Sequence, residues 1–161
     1  DQLLQEPTRA AQVLTDAQTE LETALDELRE LSHGTHPRVL RDLGLAMAIR
    51  STAARVGQRI NLVELPTAPL GEAAETTAYY VFLEAITNAQ KHAPHAMVSV
   101  SVRATKGALT IVVSDDGPGG ADETRGSGLQ GLRERIAAAG GTFRLQSSPA
   151  NGTRVTAVFP L

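Results

Sequence analysis

Hydrophobic and polar positions alternate with two different periods along this chain, and the switches between them mark its elements. From Val13 to Leu31 apolar residues recur at helical spacing: Leu14, Leu21 and Leu28 form one line, Ala17, Ala24 and Leu31 interleave, and Leu25 widens the stripe. The opposite face carries Asp16, Glu20, Glu22, Asp26, Glu27 and Glu30 against Arg29 alone, so it is acidic and solvated. This pattern fits either a surface helix lying on a core or one arm of a helical dimer. Gly34 and Pro37, in SHGTHPRVLRDLG, stop the helix and mark a hinge. A second helical pattern covers about Leu45 to Val56, then the strand candidate NLVEL and a turn around PTAPLG. EAAETTAYYVFLEAITNAQKHA reads as a long helix, with Glu72 and Glu75 favourable near its amino end and Pro94 just beyond its carboxyl end.

The period then drops to two. MVSVSVRAT and LTIVVSD, separated by KGA, read as a hairpin. A glycine-rich loop follows, then the helical LQGLRERIAAAG ending at Gly140 and Gly141, and a second hairpin of TFRLQSS and TRVTAVFPL across SPANG. Consecutive hairpins interleaved with helices predict an α/β fold with a mixed, mostly antiparallel sheet and helices on one face, in place of a doubly wound parallel sheet.

Composition narrows the chemistry. A chain of 161 residues and 17.0 kDa has room for one well-buried core with a helical appendage. No apolar run approaches the roughly 20 residues of a membrane span. The absence of cysteine excludes disulfides, thiolate metal sites and a cysteine nucleophile, and is compatible with a cytoplasmic setting. A net charge of -3 and 3% aromatic residues argue against a direct nucleic-acid partner.

Four clusters carry candidate chemistry. In DDGPGGADETRGSGLQG, from Asp115 to Gly131, the triplet Gly126, Gly128, Gly131 has the spacing of a dinucleotide fingerprint, but polar ADETR precedes it where that fingerprint needs a strand. No Gly-Lys-Ser or Gly-Lys-Thr marks a P-loop. What remains is a glycine cluster opening a helix at Leu129, where free backbone N–H groups favour an anion such as phosphate. Asp115 closes the strand LTIVVSD; there a carboxylate can accept the exocyclic amine of adenine, and equally it can cap its own turn. On the long helix Glu84, Asn88, Lys91 and His92 share one face, which suits either a solvated edge or a site in which an amide oxygen meets magnesium. NGTRV, from Asn151 to Val155, is by itself a hairpin turn.

Together and in this order, E-A-I-T-N-A-Q-K-H-A, D-D-G-P-G-G, G-S-G-L-Q-G-L and N-G-T resemble the N, G1, G2 and G3 boxes of the sensor histidine kinase ATP-binding domain, over roughly Leu45 to Leu161. The likeness is strongest to the short-lid branch whose partners are response regulators with a helix-turn-helix output domain. The resemblance implies a two-layer α/β sandwich, with residues 1–33 as the second dimerisation helix, 34–44 as a hinge and 45–161 as the catalytic ATP-binding domain. It also implies a homodimer in the intact protein and a cytoplasmic location, as the cytoplasmic part of a membrane-anchored sensor where one exists, with no membrane contact of its own.

By the same resemblance Asn88 holds Mg2+, Asp115 reads the adenine amine of ATP, and Glu84 orients water or assists proton removal. Lys91 and His92 approach phosphate, Gly117 and Gly119 let the chain turn beside the base, and Gly126, Gly128 and Gly131 hinge the lid and present N–H groups. Thr153 supports Asp115 through its hydroxyl, and Arg125 supplements a lid of only a few residues.

In the family the acceptor histidine is usually followed at once by an acidic residue. His33, His36, His92 and His95 are not. The expectation is a chain that binds ATP and Mg2+ without phosphorylating itself, and that associates weakly through a half-covered apolar stripe. An anti-sigma-type serine kinase and a non-enzymatic, ATP-gated interaction module are the alternatives.

Overall fold

Strand β2 (Met97–Thr105) turns Val98, Val100 and Val102 to one side, where all three are buried, and Ser99 and Ser101 to the other. This alternation organises the rest of the domain. The structure is a computed structural model that describes residues 37–122 and 127–161. The expected helix from Val13 to Leu31, His33 and His36, and Arg125 and Gly126 lie outside the described residues.

Among the described residues five strands form one sheet in the order β1-β2-β3-β5-β4. β1 (Arg59–Glu64) pairs parallel with β2, while β2 with β3 (Ala108–Asp115), β3 with β5 (Thr153–Pro160) and β5 with β4 (Thr142–Ser147) are antiparallel. The two hairpins fall where period-two alternation predicts them, and the single parallel pair makes the sheet mixed. The turn of the first hairpin is tighter than KGA, because Thr105 already pairs with Ala108. Register shifts between Leu62 and Glu64, leaving Val63 exposed beside the bulge.

One face of the sheet, lined by Leu109, Ile111 and Val113 of β3 and Val155, Ala157 and Phe159 of β5, is covered by helices. Helix α1 (Arg38–Arg55) contributes Leu40, Leu45 and Ile49 to the core, α2 (Glu72–His92) contributes Val81, Phe82 and Ile86, and α3 (Ser127–Ala138) contributes Leu132 and Ile136. Thr52 of α1 and Tyr79 of α2 share a buried hydroxyl–hydroxyl hydrogen bond of 2.9 Å. On the other face Arg103 grips the Glu64 carboxylate with Nε and Nη2 at 3.0 and 2.8 Å, and these hydrogen bonds hold that carboxyl below its usual range.

Helix α1 starts earlier than its pattern at Leu45 suggests. Arg38–Leu43 is helical, and Gly44, at φ 70° and ψ 167°, breaks the helix before it resumes. That conformation is essentially reserved for glycine. The break re-aims the first segment so that Leu40, within the stretch read from sequence as a hinge, is only 2% exposed. Replacing Leu40 by alanine is therefore expected to cost about 2–5 kcal/mol of stability, the range for a truncated core leucine, in a urea titration. A true linker residue would change stability negligibly.

Candidate nucleotide site

Along its middle, helix α2 is largely apolar, with Ala78, Val81, Phe82, Ala85, Ile86 and Ala89 buried. Its polar turn is therefore conspicuous. Glu84 and Asn88 are half-buried and one turn apart, and Asn88 Nδ2 donates to Glu84 Oε1 at 3.0 Å. That bond leaves Asn88 Oδ1 available to a cation. Lys91 and His92 follow on exposed positions at the helix end.

The Glu84 carboxylate lies against Gly128 in the first turn of α3, so closely that a Cβ on that glycine would overlap Glu84 Oε1. The expected lid glycine thus lets a carboxylate from α2 reach the amino end of α3. Leu129 packs against the core, whereas a Cβ on Gly131 would meet nothing within 4 Å. The two helices are also joined by Arg135, whose guanidinium sits 4.2 Å from the centre of the Tyr80 ring. Burial lowers its pKa from the ordinary arginine value, while the neighbouring Tyr80 acts in the opposite sense.

At the carboxyl end of α2 the chain turns through Ala93 and Ala96, and here the second half of the site begins. The buried Gln58 donates from Nε2 to both carbonyls, at 3.1 Å to Ala93 and 2.7 Å to Ala96. Gly117 rests on this turn: a Cβ there would come 2.5 Å from the Ala93 methyl and 2.8 Å from Asp115 Oδ1. The Gly117 N–H donates to Asp115 Oδ1 at 2.9 Å, which fixes the carboxylate at the end of β3. Asp116 faces elsewhere, accepting from the Met97 N–H at 2.7 Å.

The loop after Asp115 is held by the turn between β4 and β5. Ala150 N–H donates to the Pro118 carbonyl at 2.8 Å. Gly119, with positive φ, presses its Cα against the Ser148 carbonyl, and Gly152, at φ 67°, does the same against the Asp115 carbonyl. Neither position has room for a side chain. Thr153 is the register partner of Asp115, but its hydroxyl is bonded to Ser147 Oγ at 3.0 Å, a different partner from the one the resemblance implies.

The structure thus gathers the expected groups into two sets. Glu84, Asn88 and Gly128 form one, at the junction of α2 and α3; Asp115, Gly117, Gly119 and Thr153 form the other, at the ends of β3 and β5. Gln58 and Ser147 were not singled out from sequence. Ser147 was legible in principle, as a polar residue on the inward register of β4 after Phe143 and Leu145. Gln58 carries no periodic signal.

The Histidine kinase-, DNA gyrase B-, and HSP90-like ATPase family matches residues 73–161, the span that holds both sets. The chain belongs to this family. Within it the named relatives are histidine kinases. The sensor histidine kinase MctS of Rhizobium johnstonii is 34% identical over 87% of this chain and 32% of its own length. The signal transduction histidine-protein kinase/phosphatase UhpB of Salmonella typhimurium is 33% identical over 84% of this chain and 28% of its own. The chain therefore spans about a third of the length of these relatives. Among solved structures, the histidine kinase domain of the Erythrobacter litoralis EL346 blue-light activated histidine kinase shares the fold, with a TM-score of 0.61 and 21% identity over 73% of this chain and 59% of that one. The domain is accordingly an ATP-binding ATPase domain of the sensor histidine kinase type.

The family glycines are not equivalent in this domain. Gly152→Ala is expected to cost about 1–3 kcal/mol or more, through strained φ and overlap with the Asp115 carbonyl. Gly131→Ala, inside α3 and in open space, is expected to raise stability by up to about 1 kcal/mol through the better helix propensity of alanine. Thermal melts of the two variants beside the native chain check both signs.

Proposed function

We propose that this domain, in its intact protein, donates the ATP γ-phosphoryl to a histidine, for onward transfer to an aspartate of a response regulator with a helix-turn-helix output domain. The observation that carries the reading is the pairing of Glu84 with Asn88 on α2, against the amino end of α3, one helix end away from the carboxylate of Asp115. Asn88 lies five residues before Ala93, or about 7 Å of helix rise, so the two sets suit a ligand with a base at one end and phosphates at the other.

In this reading Asp115 accepts from the adenine amine, and Gly117 N–H keeps the carboxylate in place. Gly119 and Gly152 let the backbone close around it. Asn88 Oδ1 is the protein's ligand to Mg2+. Magnesium bound to a nucleotide takes its other ligands from phosphate and water. When bound, Mg2+ neutralises phosphate charge. Lys91 and His92 approach the phosphates, and Gly126 and Gly128 present N–H groups, with Arg125 supplementing the lid. Glu84 orients water or assists proton removal at the acceptor. Phosphoryl transfer is mainly positioning and charge stabilisation, which is what an amide for the metal, the carboxylates of Glu84 and Asp115, cations and backbone donors supply.

The homodimer and the cytoplasmic setting of the intact protein belong to the same reading. No described helix is long and apolar enough to cross a membrane.

Calorimetric titration of ATP is expected to show binding strengthened by Mg2+, failure of GTP, and loss of ATP binding in Asp115→Asn. Unchanged affinity in that variant would remove Asp115 from the base-reading role. Incubation with labelled ATP is expected to leave the chain unphosphorylated, since none of its histidines precedes an acidic residue; acid-labile phosphate on His33 or His36 would overturn this.

A further inference from the structure

At one end of the sheet, Asp115 of β3 pairs with Thr153 of β5, and Thr153 pairs with Ser147 of β4. These three polar residues continue the inward rows that hold Val113, Val155 and Leu145. Ser147 has more partners than its size suggests. Its Oγ lies 3.0 Å from the Ala121 N–H, 3.2 Å from the Gly152 carbonyl and 3.0 Å from Thr153 Oγ1.

A serine hydroxyl has one hydrogen and two lone pairs, and only one assignment satisfies all three contacts. The Ala121 N–H can only donate, so it takes one lone pair. The Gly152 carbonyl can only accept, so it takes the hydrogen. The second lone pair must then accept from Thr153, whose own single hydrogen is thereby committed to Ser147. Thr153 is left with lone pairs alone to offer a ligand. The Asp115 carboxylate beside it also only accepts.

We propose that Ser147 is a specificity-determining positioning residue of the nucleotide site: it holds Thr153 as a hydrogen-bond acceptor beside Asp115 and ties Ala121, at the entry to the lid, to the sheet. The inference rests on the assignment of Asp115 as the base reader. Two neighbouring acceptors demand a donor from the base edge. A purine with an amine at position 6 meets that demand, and one with a carbonyl there faces lone pairs. Without the Ser147 hydroxyl, Thr153 is free to rotate and donate, which removes one of the two acceptors set against the carbonyl purine and leaves that of Asp115.

The experiment compares equilibrium binding of ATP and inosine triphosphate, which carries oxygen at position 6, to the full chain and to Ser147→Ala, Ser147→Thr and Asp115→Asn. The native chain is expected to prefer ATP. Ser147→Ala is expected to narrow that preference about tenfold, the scale of one correctly directed hydrogen bond, and Ser147→Thr, which keeps a hydroxyl, to restore it. Hydrogen exchange at the Ala121 amide is expected to quicken in Ser147→Ala alone. Equal weakening of both nucleotides in Ser147→Ala, or a native ratio, overturns the proposal, as does a Ser147→Thr variant that behaves like alanine or a native chain without preference. Asp115→Asn separates the two readings: a native ratio there removes Asp115 as base reader, while a narrowed ratio in Ser147→Ala still upholds Thr153 as the group that Ser147 directs.

Discussion

The burial of α2 against the inner face of β2, β3 and β5 constrains where every group of the site can lie. A helix that commits Val81, Phe82, Ala85, Ile86 and Ala89 to a core has only a narrow strip on which polar side chains remain near water. Glu84 and Asn88 occupy that strip. Because the strip runs beneath the first turn of α3, a carboxylate and an amide are brought to the amino end of a second helix without either having to be buried unpaired. Their mutual hydrogen bond satisfies part of each group and leaves the Asn88 amide oxygen and the second Glu84 carboxylate oxygen uncommitted by it.

The other half of the site obeys a different constraint, which is backbone approach. The loop after β3 and the turn between β4 and β5 touch through carbonyls and α-carbons, and Gly119 and Gly152 are the points at which any side chain would force them apart. Such contacts give rigidity with little apolar burial. The Asp115 carboxylate inherits that rigidity, since it stands on the strand end that Gly152 covers and is held by the N–H of the residue two positions on.

Much of this was legible in the sequence, and the reasons differ by element. The strands announced themselves because β2, β3 and β5 bury one side only, so alternation at Val98, Val100 and Val102 or at Val155, Ala157 and Phe159 maps directly onto the faces. The two sets of site residues were recognisable as local motifs, as Glu84 and Asn88 share a helical face and Asp115 ends a strand. Three features were out of reach for physical reasons. The helical turn at Arg38–Leu43 is hidden because Pro37 before it and Gly44 after it both look like punctuation, although the chain resumes its helix. The bonds of Gln58 to Ala93 and Ala96 span more than thirty residues and follow from tertiary placement alone. The closeness of Glu84 to Gly128 likewise depends on how α2 and α3 pack, which no local pattern encodes.

The irregularity at Val63 has a consequence for the molecule's behaviour among its own copies. Among the described residues β1 is the last strand on its side of the sheet, and a regular edge would offer an unbroken row of N–H and C=O groups to any passing strand. The shift between Leu62 and Glu64 cuts that row short near its carboxyl end, and Arg59 and Glu64 place a charge at each end of the strand. An incoming strand would find only the short run from Arg59 to Leu62 in line. The domain can thus carry an exposed valine on its margin without that margin becoming a template for aggregation.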